Sequence, residues 1–415
     1  VSRIAKTVPQ IIPGDFMMID SESGGRDADA GDARLLTVRG VIQDAERRAG
    51  HGYLGHSIFD GALAVLTASY RSDARVHAYG ARRLHGELVA GLAARIAVDH
   101  AVAEAPKIRE VEIERPIFIV SFPRTGSTLL LNVLAQSEGA RTFRHWELLN
   151  PAPPPDPETE ATDPRRAVSR AWIEDYYAHF PELRAIHAFD TDGPDECVRL
   201  FTHTFMTMQF LNRGYMPGYA RWFLMQDRTP AYEYHRLCLQ TLCFKRPGNP
   251  VIVKDPFHIW SLDALRAVYP DACIVHIHRD PVESLASWAN YVTGVLGICS
   301  DRIEPGEVGE LWLDLFRVAV RQLAGARTGG DSRAILDVRY TDVAARPFDA
   351  ARRILDHFGF VRDRDETLSR ISAYLSRHPP KQHVSHPYSL ERFGFTADRL
   401  RSEFRDYREQ IRDDS

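Results

Sequence analysis

The sequence predicts an α/β protein: a central, mainly parallel sheet flanked by helices, with a helical N-terminal region and a helical insertion. Three observations point there. Short apolar runs at 117–120, 250–253, 272–277 and 334–338 each end in polar residues and are followed by a helix-compatible stretch. Runs of that kind suit strands covered on both faces, and strand–turn–helix repetition suits a parallel sheet. Residues 33–111 are rich in Ala, Leu, Arg and Glu, with no proline before Pro106, and 163–248 also read as mainly helical. The chain therefore divides into a helical region at 1–112 and an α/β core at 113–415, interrupted by the insertion at about 163–248.

The totals narrow the class. The 415 residues are 44% hydrophobic and 26% charged, ordinary for a globular protein of one large or two small domains. A net charge of −4 excludes bulk nucleic-acid binding, so an anion site must be a local basic cluster. Five cysteines, Cys197, Cys238, Cys243, Cys273 and Cys299, form no close CxxC pair, which fits reduced thiols in the cytoplasm. No apolar run reaches the roughly 20 residues of a membrane span, and no signal-peptide pattern opens the sequence. Contact with a membrane surface stays open.

In chain order, Gly, Asp and Ser cluster at 21–32 in a loose arm. The stretch Leu84 to Arg95 then repeats apolar residues at helical spacing. This helical region is a buttress for the core or, alternatively, a substrate lid.

The chain is organised around 117–131. Ile117 to Val120 form a strand, Ser121 to Gly126 a tight loop, and Ser127-Thr128 open a helix. The first turn of a helix carries unpaired N–H donors and partial positive charge, so an anion fits there. Gly126 lets backbone approach a phosphate, Arg124 adds charge, and Ser127 and Thr128 add hydroxyls around Thr125. A kinase-type loop would need Gly-x4-Gly-Lys-Ser/Thr. Here Ser121 takes the first position and Ser127 stands where lysine would be.

Residues 140–147 read as a short strand ending at Glu147, 23 residues after Arg124 and within reach of the same crevice. The insertion is dense in aromatic residues and methionine, including Phe205, Met206, Met208, Tyr219 and Trp222; it is a small core of its own or an apolar pocket. Lys254 sits at the tip of the 250–253 run, aimed by a buried strand. His258, after Pro256, is a catalytic base or a hydrogen-bonding residue of the next helix. Arg279 ends the third run before Asp280-Pro281, and Ser284 and Ser287 lie one turn apart on the helix that follows. An arginine there can grip a phosphate bidentately. Thr341 or Asp342 caps a further helix, and Gly359 closes the one over 349–358.

Together these pieces resemble the 3′-phosphoadenosine 5′-phosphosulfate (PAPS)-dependent sulfotransferases over about 115–340, with an echo at 386–395. The resemblance implies a P-loop-like fold, PAPS as donor, 3′-phosphoadenosine 5′-phosphate (PAP) as product, and no metal. It carries Arg124, Thr125, Gly126, Ser127 and Thr128 onto the 5′-phosphosulfate loop and Lys254 onto the strand lysine near the leaving group. Arg279 and Ser287, eight apart, fall on the 3′-phosphate pair, and Glu147 is positioned like the catalytic glutamate of the carbohydrate and bacterial branches. Where cytosolic arylsulfotransferases place a base histidine, this chain has Pro256; His258 is the next candidate. The expected reaction is in-line sulfuryl transfer to the hydroxyl of an apolar alcohol, a lipid or natural product. The alternatives are a nucleotide kinase or NTPase with a degenerate loop, and a non-catalytic nucleotide-binding protein.

Overall fold

The computed structural model describes residues 35–328, 335–360, 363–379 and 390–413. The arm expected at 1–32 and residues 386–389 of the echo at 386–395 lie outside the described residues. Four strands, β1 (Ile117–Ser121), β2 (Ile252–Lys254), β3 (Cys273–His278) and β4 (Ile335–Arg339), form one sheet in the order β2-β1-β3-β4. All pairings are parallel, with Ile119 level with Lys254 on one side and with Val275 on the other. The chain steps from β1 outward to β2, then returns past β1 to β3. That reversal opens a crevice at the carboxyl ends of β1 and β3.

Successive side chains of a strand point to opposite faces. The sheet accordingly divides two cores: Phe118, Val120, Val253 and Ile274 enter one, while Ile117, Ile119, Ile252, Val275 and Ile277 enter the other. The larger core is closed by three groups of helices. α1 (Val38–Ala49), α2 (Ser57–Ser72) and α3 (Ala78–Glu104) precede the sheet. After α4 (Ser127–Leu134) and α5 (His145–Leu149), the insertion supplies α6 (Arg165–His179), α7 (Leu183–Ile186), α8 (Val198–Thr202), α9 (Pro217–Met225) and α10 (Thr229–Cys243). Then come α11 (Leu262–Val268), α12 (Pro281–Leu296) and α13 (Pro305–Thr328). The smaller core lies between the sheet and α4, α14 (Tyr340–Ala345), α15 (Pro347–Phe358) and α16 (Arg364–Arg377). Finally α17 (Ala397–Glu403) and α18 (Arg405–Asp413) return to the larger core through Leu400 and Tyr407. The N-terminal helices and the insertion thus share one apolar interior with the sheet.

Two local expectations change. Residues 140–147 do not form a strand: Arg141 makes a single parallel bridge to Val251, and the chain turns at Arg144 into α5. Ion pairing between the arginines and Glu147 replaces a ladder there. Helix α14 starts at Tyr340 after Arg339, so Thr341 and Asp342 lie inside its first turn. Gly359 closes α15 in the left-handed conformation, φ 70°.

Helix α3 carries a matched pair of tests. A Cβ on Gly80 would lie 2.2 Å from the Cys299 carbonyl oxygen, whereas one on Gly86 meets nothing within 4 Å. Gly80→Ala should lower unfolding free energy by about 1–3 kcal/mol through overpacking. Gly86→Ala should raise it by up to about 1 kcal/mol through helix propensity. Urea denaturation of the two variants checks both signs.

Candidate functional site

The loop between β1 and α4 owes its shape to two left-handed residues, Arg124 at φ 68° and Gly126 at φ 75°. Thr125 folds inward, its hydroxyl donating to the Phe122 carbonyl at 3.0 Å. Phe122 is pinned below by stacking on Phe316, ring centroids 4.4 Å apart. Gly126 is the N-cap of α4, and a Cβ there would press on the Tyr340 ring at 3.4 Å. The backbone thus aims the α4 N-terminus at the crevice, the arrangement an anion needs.

Lys254, the last residue of β2, is buried; its ammonium donates to Thr128 Oγ1 at 3.2 Å and to the Glu196 carboxylate. Next to it, the Asp255 carboxylate accepts from Phe257 N at 2.8 Å, and burial pushes its carboxyl up to about 8. From the other side of β1, Arg279 donates through Nη1 to the Arg124 carbonyl and lies 4.4 Å over the Tyr340 ring. It also contacts Glu283 Oε2 at 3.2 Å. Arg124 in turn donates from Nε to Ser287 Oγ at 3.3 Å. The structure therefore brings Arg124, Thr125, Gly126, Ser127, Thr128, Lys254, Arg279 and Ser287 to one cleft. The Arg124 side chain reaches toward α12, the Ser287 side of the cleft, rather than toward Lys254. One turn before Ser287, the hydroxyl of Ser284 is buried without a hydrogen-bond partner.

The two base candidates lie elsewhere. Glu147 is fully buried in α5, where its carboxylate accepts from Arg141 at 2.7 and 3.2 Å, from Arg144 Nη2 at 3.0 Å and from Arg144 N at 2.8 Å. Burial alone would raise this carboxyl, but Arg141 and then Arg144 outweigh it and hold it at about 2. A carboxylate so engaged has no oxygen to offer a substrate and is a weak base at neutral pH. The expected role for Glu147 is therefore not supported by its surroundings. His258 is also fully buried, with Tyr232 OH 2.7 Å from Nδ1 and Cys197 Sγ 3.3 Å from Nε2, and burial pushes it well below the usual imidazole range. It fits the hydrogen-bonding alternative.

Sequence reasoning missed Glu196. The signal available was a Gly193-Pro194 turn followed by two acids, Asp195 and Glu196, inside a segment otherwise read as helical core. It also missed the contact made by Arg408 of α18, which donates to Asp280 Oδ2 at 3.0 Å while Asp280 Oδ1 caps α12 through Val282 N at 3.0 Å. Behind Arg279, His276, His278 and Asp337 approach closely enough to hold a metal. Arg327 instead covers that carboxylate with two bonds, 2.8 and 2.6 Å, so the charge a cation would meet is already neutralised.

The Glu147 cluster gives a stability prediction. A carboxyl lowered to about 2 in the fold contributes above its unfolded value near 4.5 and loses that contribution as pH falls through about 2. The shift corresponds to about 3 kcal/mol. Glu147→Gln, which leaves buried arginines unpaired, should cost about 3 kcal/mol in urea unfolding at pH 7. Its deficit against the unmodified chain should vanish between about pH 5 and pH 2. An unchanged midpoint would return Glu147 to the chemistry.

The profile of the Sulfotransferase family matches residues 116–364. Omega-hydroxy-beta-dihydromenaquinone-9 sulfotransferase Stf3 of Mycobacterium bovis (strain ATCC BAA-935 / AF2122/97) is 26% identical over 320 residues, 72% of this chain and 76% of Stf3. The fold is similar to that of sulfotransferase STF1 from Mycobacterium tuberculosis H37Rv, with a TM-score of 0.77 and 27% identity over 89% of this chain and 98% of that one. It is also similar to sulfotransferase STF9 from Mycobacterium avium, with a TM-score of 0.80 and 26% identity over 90% and 96%. Since the matched span takes in the whole cleft from Arg124 to Ser287, the chain belongs to the sulfotransferase family.

Proposed function

We propose that the chain transfers a sulfuryl group from PAPS to the hydroxyl of an apolar alcohol, a lipid or natural product. The observation that carries this reading is the double link through Arg124, to Arg279 by its carbonyl and to Ser287 by its guanidinium, which gives two anion grips one shared cleft. A donor with phosphate at both the 5′ and the 3′ position needs such a pair. The unpartnered Ser284 hydroxyl close by fits a site built to receive a further acceptor group.

The α4 N-terminus with Thr125, Gly126, Ser127 and Thr128 holds the 5′-phosphosulfate. Arg279 and Ser287, helped by Arg124, hold the 3′-phosphate and so fix the position of the sulfuryl group. Lys254, already against Thr128, stabilises charge developing on the bridging oxygen as PAP departs. The acceptor oxygen attacks sulfur in line with that bond, and its proton passes to a base beside Lys254. No role is needed for a metal in these steps.

A pocket between α3, α6 and α8 supports the acceptor class by its lining rather than by its size. Its wall is largely apolar, with Leu149, Val168, Trp172, Val198 and Phe210, and holds Arg199 and Arg213. Tyr291 of α12 stands within electrostatic reach of Arg213 and Arg199 on that wall and of Glu196 and Arg124 at the donor site. The name of Stf3 gives its substrate as a hydroxylated menaquinone derivative, itself an apolar alcohol. The five cysteines are buried and free, which fits a reducing cytoplasm, and among the described residues no helix is long and apolar enough to cross a membrane. An acceptor of this kind would be met at a membrane surface.

PAP at a hundred times its Kd should stabilise the chain by about 2.7 kcal/mol in thermal unfolding, with ATP and ADP well behind. Stronger stabilisation by ATP would carry the NTPase alternative. PAP binding without transfer to any acceptor would carry the non-catalytic one. Arg279→Ala should weaken PAP binding by about 10–100-fold in calorimetry, the value of one charged hydrogen-bonding partner. Equal affinity would defeat the 3′-phosphate assignment.

A further inference from the structure

We infer that Glu196, the ion-pair partner of Lys254, is the general base that takes the proton of the acceptor hydroxyl. This deepens the sulfuryl-transfer reading and rests on it. The argument begins with Lys254. Its single ammonium touches both a loop hydroxyl, Thr128 Oγ1, and the Glu196 carboxylate. A sulfuryl group seated at the loop therefore lies about one ammonium's breadth from that carboxylate.

Glu196 is held there by its neighbours. Asp195 N donates to the Phe143 carbonyl at 2.9 Å, and Cys197 N donates to the Lys254 carbonyl at 2.9 Å, so backbone anchors stand on both sides of the residue. Asp195 spends its own charge on Arg199 Nε at 2.9 Å. Glu196 keeps 17% of its side chain exposed, in contrast to the enclosed Glu147. The groups that face it are Lys254 from β2, Asp255 and Cys197 beside that strand end, His187 after α7, and Tyr291 from α12. Of these, His187 and Asp255 compete as proton acceptors, and Asp255 already accepts from Phe257 N at 2.8 Å.

The ion pair also sets an order of events. Without donor, Lys254 neutralises Glu196. An anionic oxygen arriving beside Thr128 competes for the same ammonium, and as Lys254 turns to it the carboxylate is released. In the transfer, the acceptor oxygen bonds to sulfur while the bond from sulfur to the 5′-phosphate oxygen breaks. That electron pair stays on PAP beside Lys254, and the acceptor proton moves to a Glu196 oxygen and later to water.

The test uses the full chain with PAPS and two probe acceptors that stay un-ionised, farnesol and benzyl alcohol. Sulfate release to water is followed in parallel, since the same carboxylate would activate water. Glu196→Gln should lower kcat by about 100-fold or more and abolish the acid limb of its pH profile. PAP affinity should stay within about threefold of the unmodified enzyme. Glu196→Asp should recover part of the loss, and His187→Asn and Asp255→Asn should each keep the acid limb; loss of the limb in Asp255→Asn would overturn the assignment. Retained turnover in Glu196→Gln, a reduced rate with the acid limb intact, or loss of that limb in His187→Asn would each overturn the assignment. If the unmodified chain neither binds PAP nor releases it from PAPS, the sulfotransferase reading itself fails, an outcome distinct from an active variant.

Discussion

One backbone carbonyl, that of Arg124, joins the two halves of the cleft. Arg124 holds a left-handed backbone conformation that costs a residue with a side chain about 1 kcal/mol or more. A hydrogen bond from a charged guanidinium contributes about 1.5–3 kcal/mol. The Arg279 contact is therefore of the right size to offset the strain, and the Ser287 contact adds to it. A loop that would relax on its own is kept aimed at the crevice by the strand tip and helix opposite. Donor recognition and loop shape rest on the same groups.

Buried charge elsewhere has a related use. Glu87, on α3, accepts from Arg213 Nε and from Tyr176 OH, both at 2.9 Å, and Arg83 lies beside it. Glu147 does the same between Arg141 and Arg144. Buried pairs of this kind are weak sources of net stability, because desolvation cancels much of their attraction. They do fix which residues meet. The first sets a wall of the pocket between α3, α6 and α8, through Glu87 and Arg213, and the second fastens α5 beside the end of the insertion through Leu242.

Much of this was legible in the sequence because it is local. The strand of Ile117 to Ser121, the Arg124-to-Thr128 loop and the eight-residue step from Arg279 to Ser287 all report on one strand–turn–helix unit at a time. What failed depends on distant partners. Arg141, Arg144 and Glu147 look like strand residues until the bridge to Val251 and the buried ion pairs are seen. Glu196 sits in an insertion whose composition signals only apolar packing, and its meaning comes from Lys254, 58 positions away. Arg408 reaches Asp280 across 128 positions, which no periodicity could announce.

The helix that opens at the loop, α4, rests on the smaller core. Leu130, Leu131, Val133 and Leu134 pack there with Ala350, Ala351, Ile354, Leu355 and Ile371, and Glu138 N is held by Thr367 Oγ1 at 3.2 Å. During synthesis the loop leaves the ribosome long before that floor exists. The nascent chain must carry an unfinished anion site until α15 and α16 emerge, so nucleotide capture is a late event in the life of each new molecule.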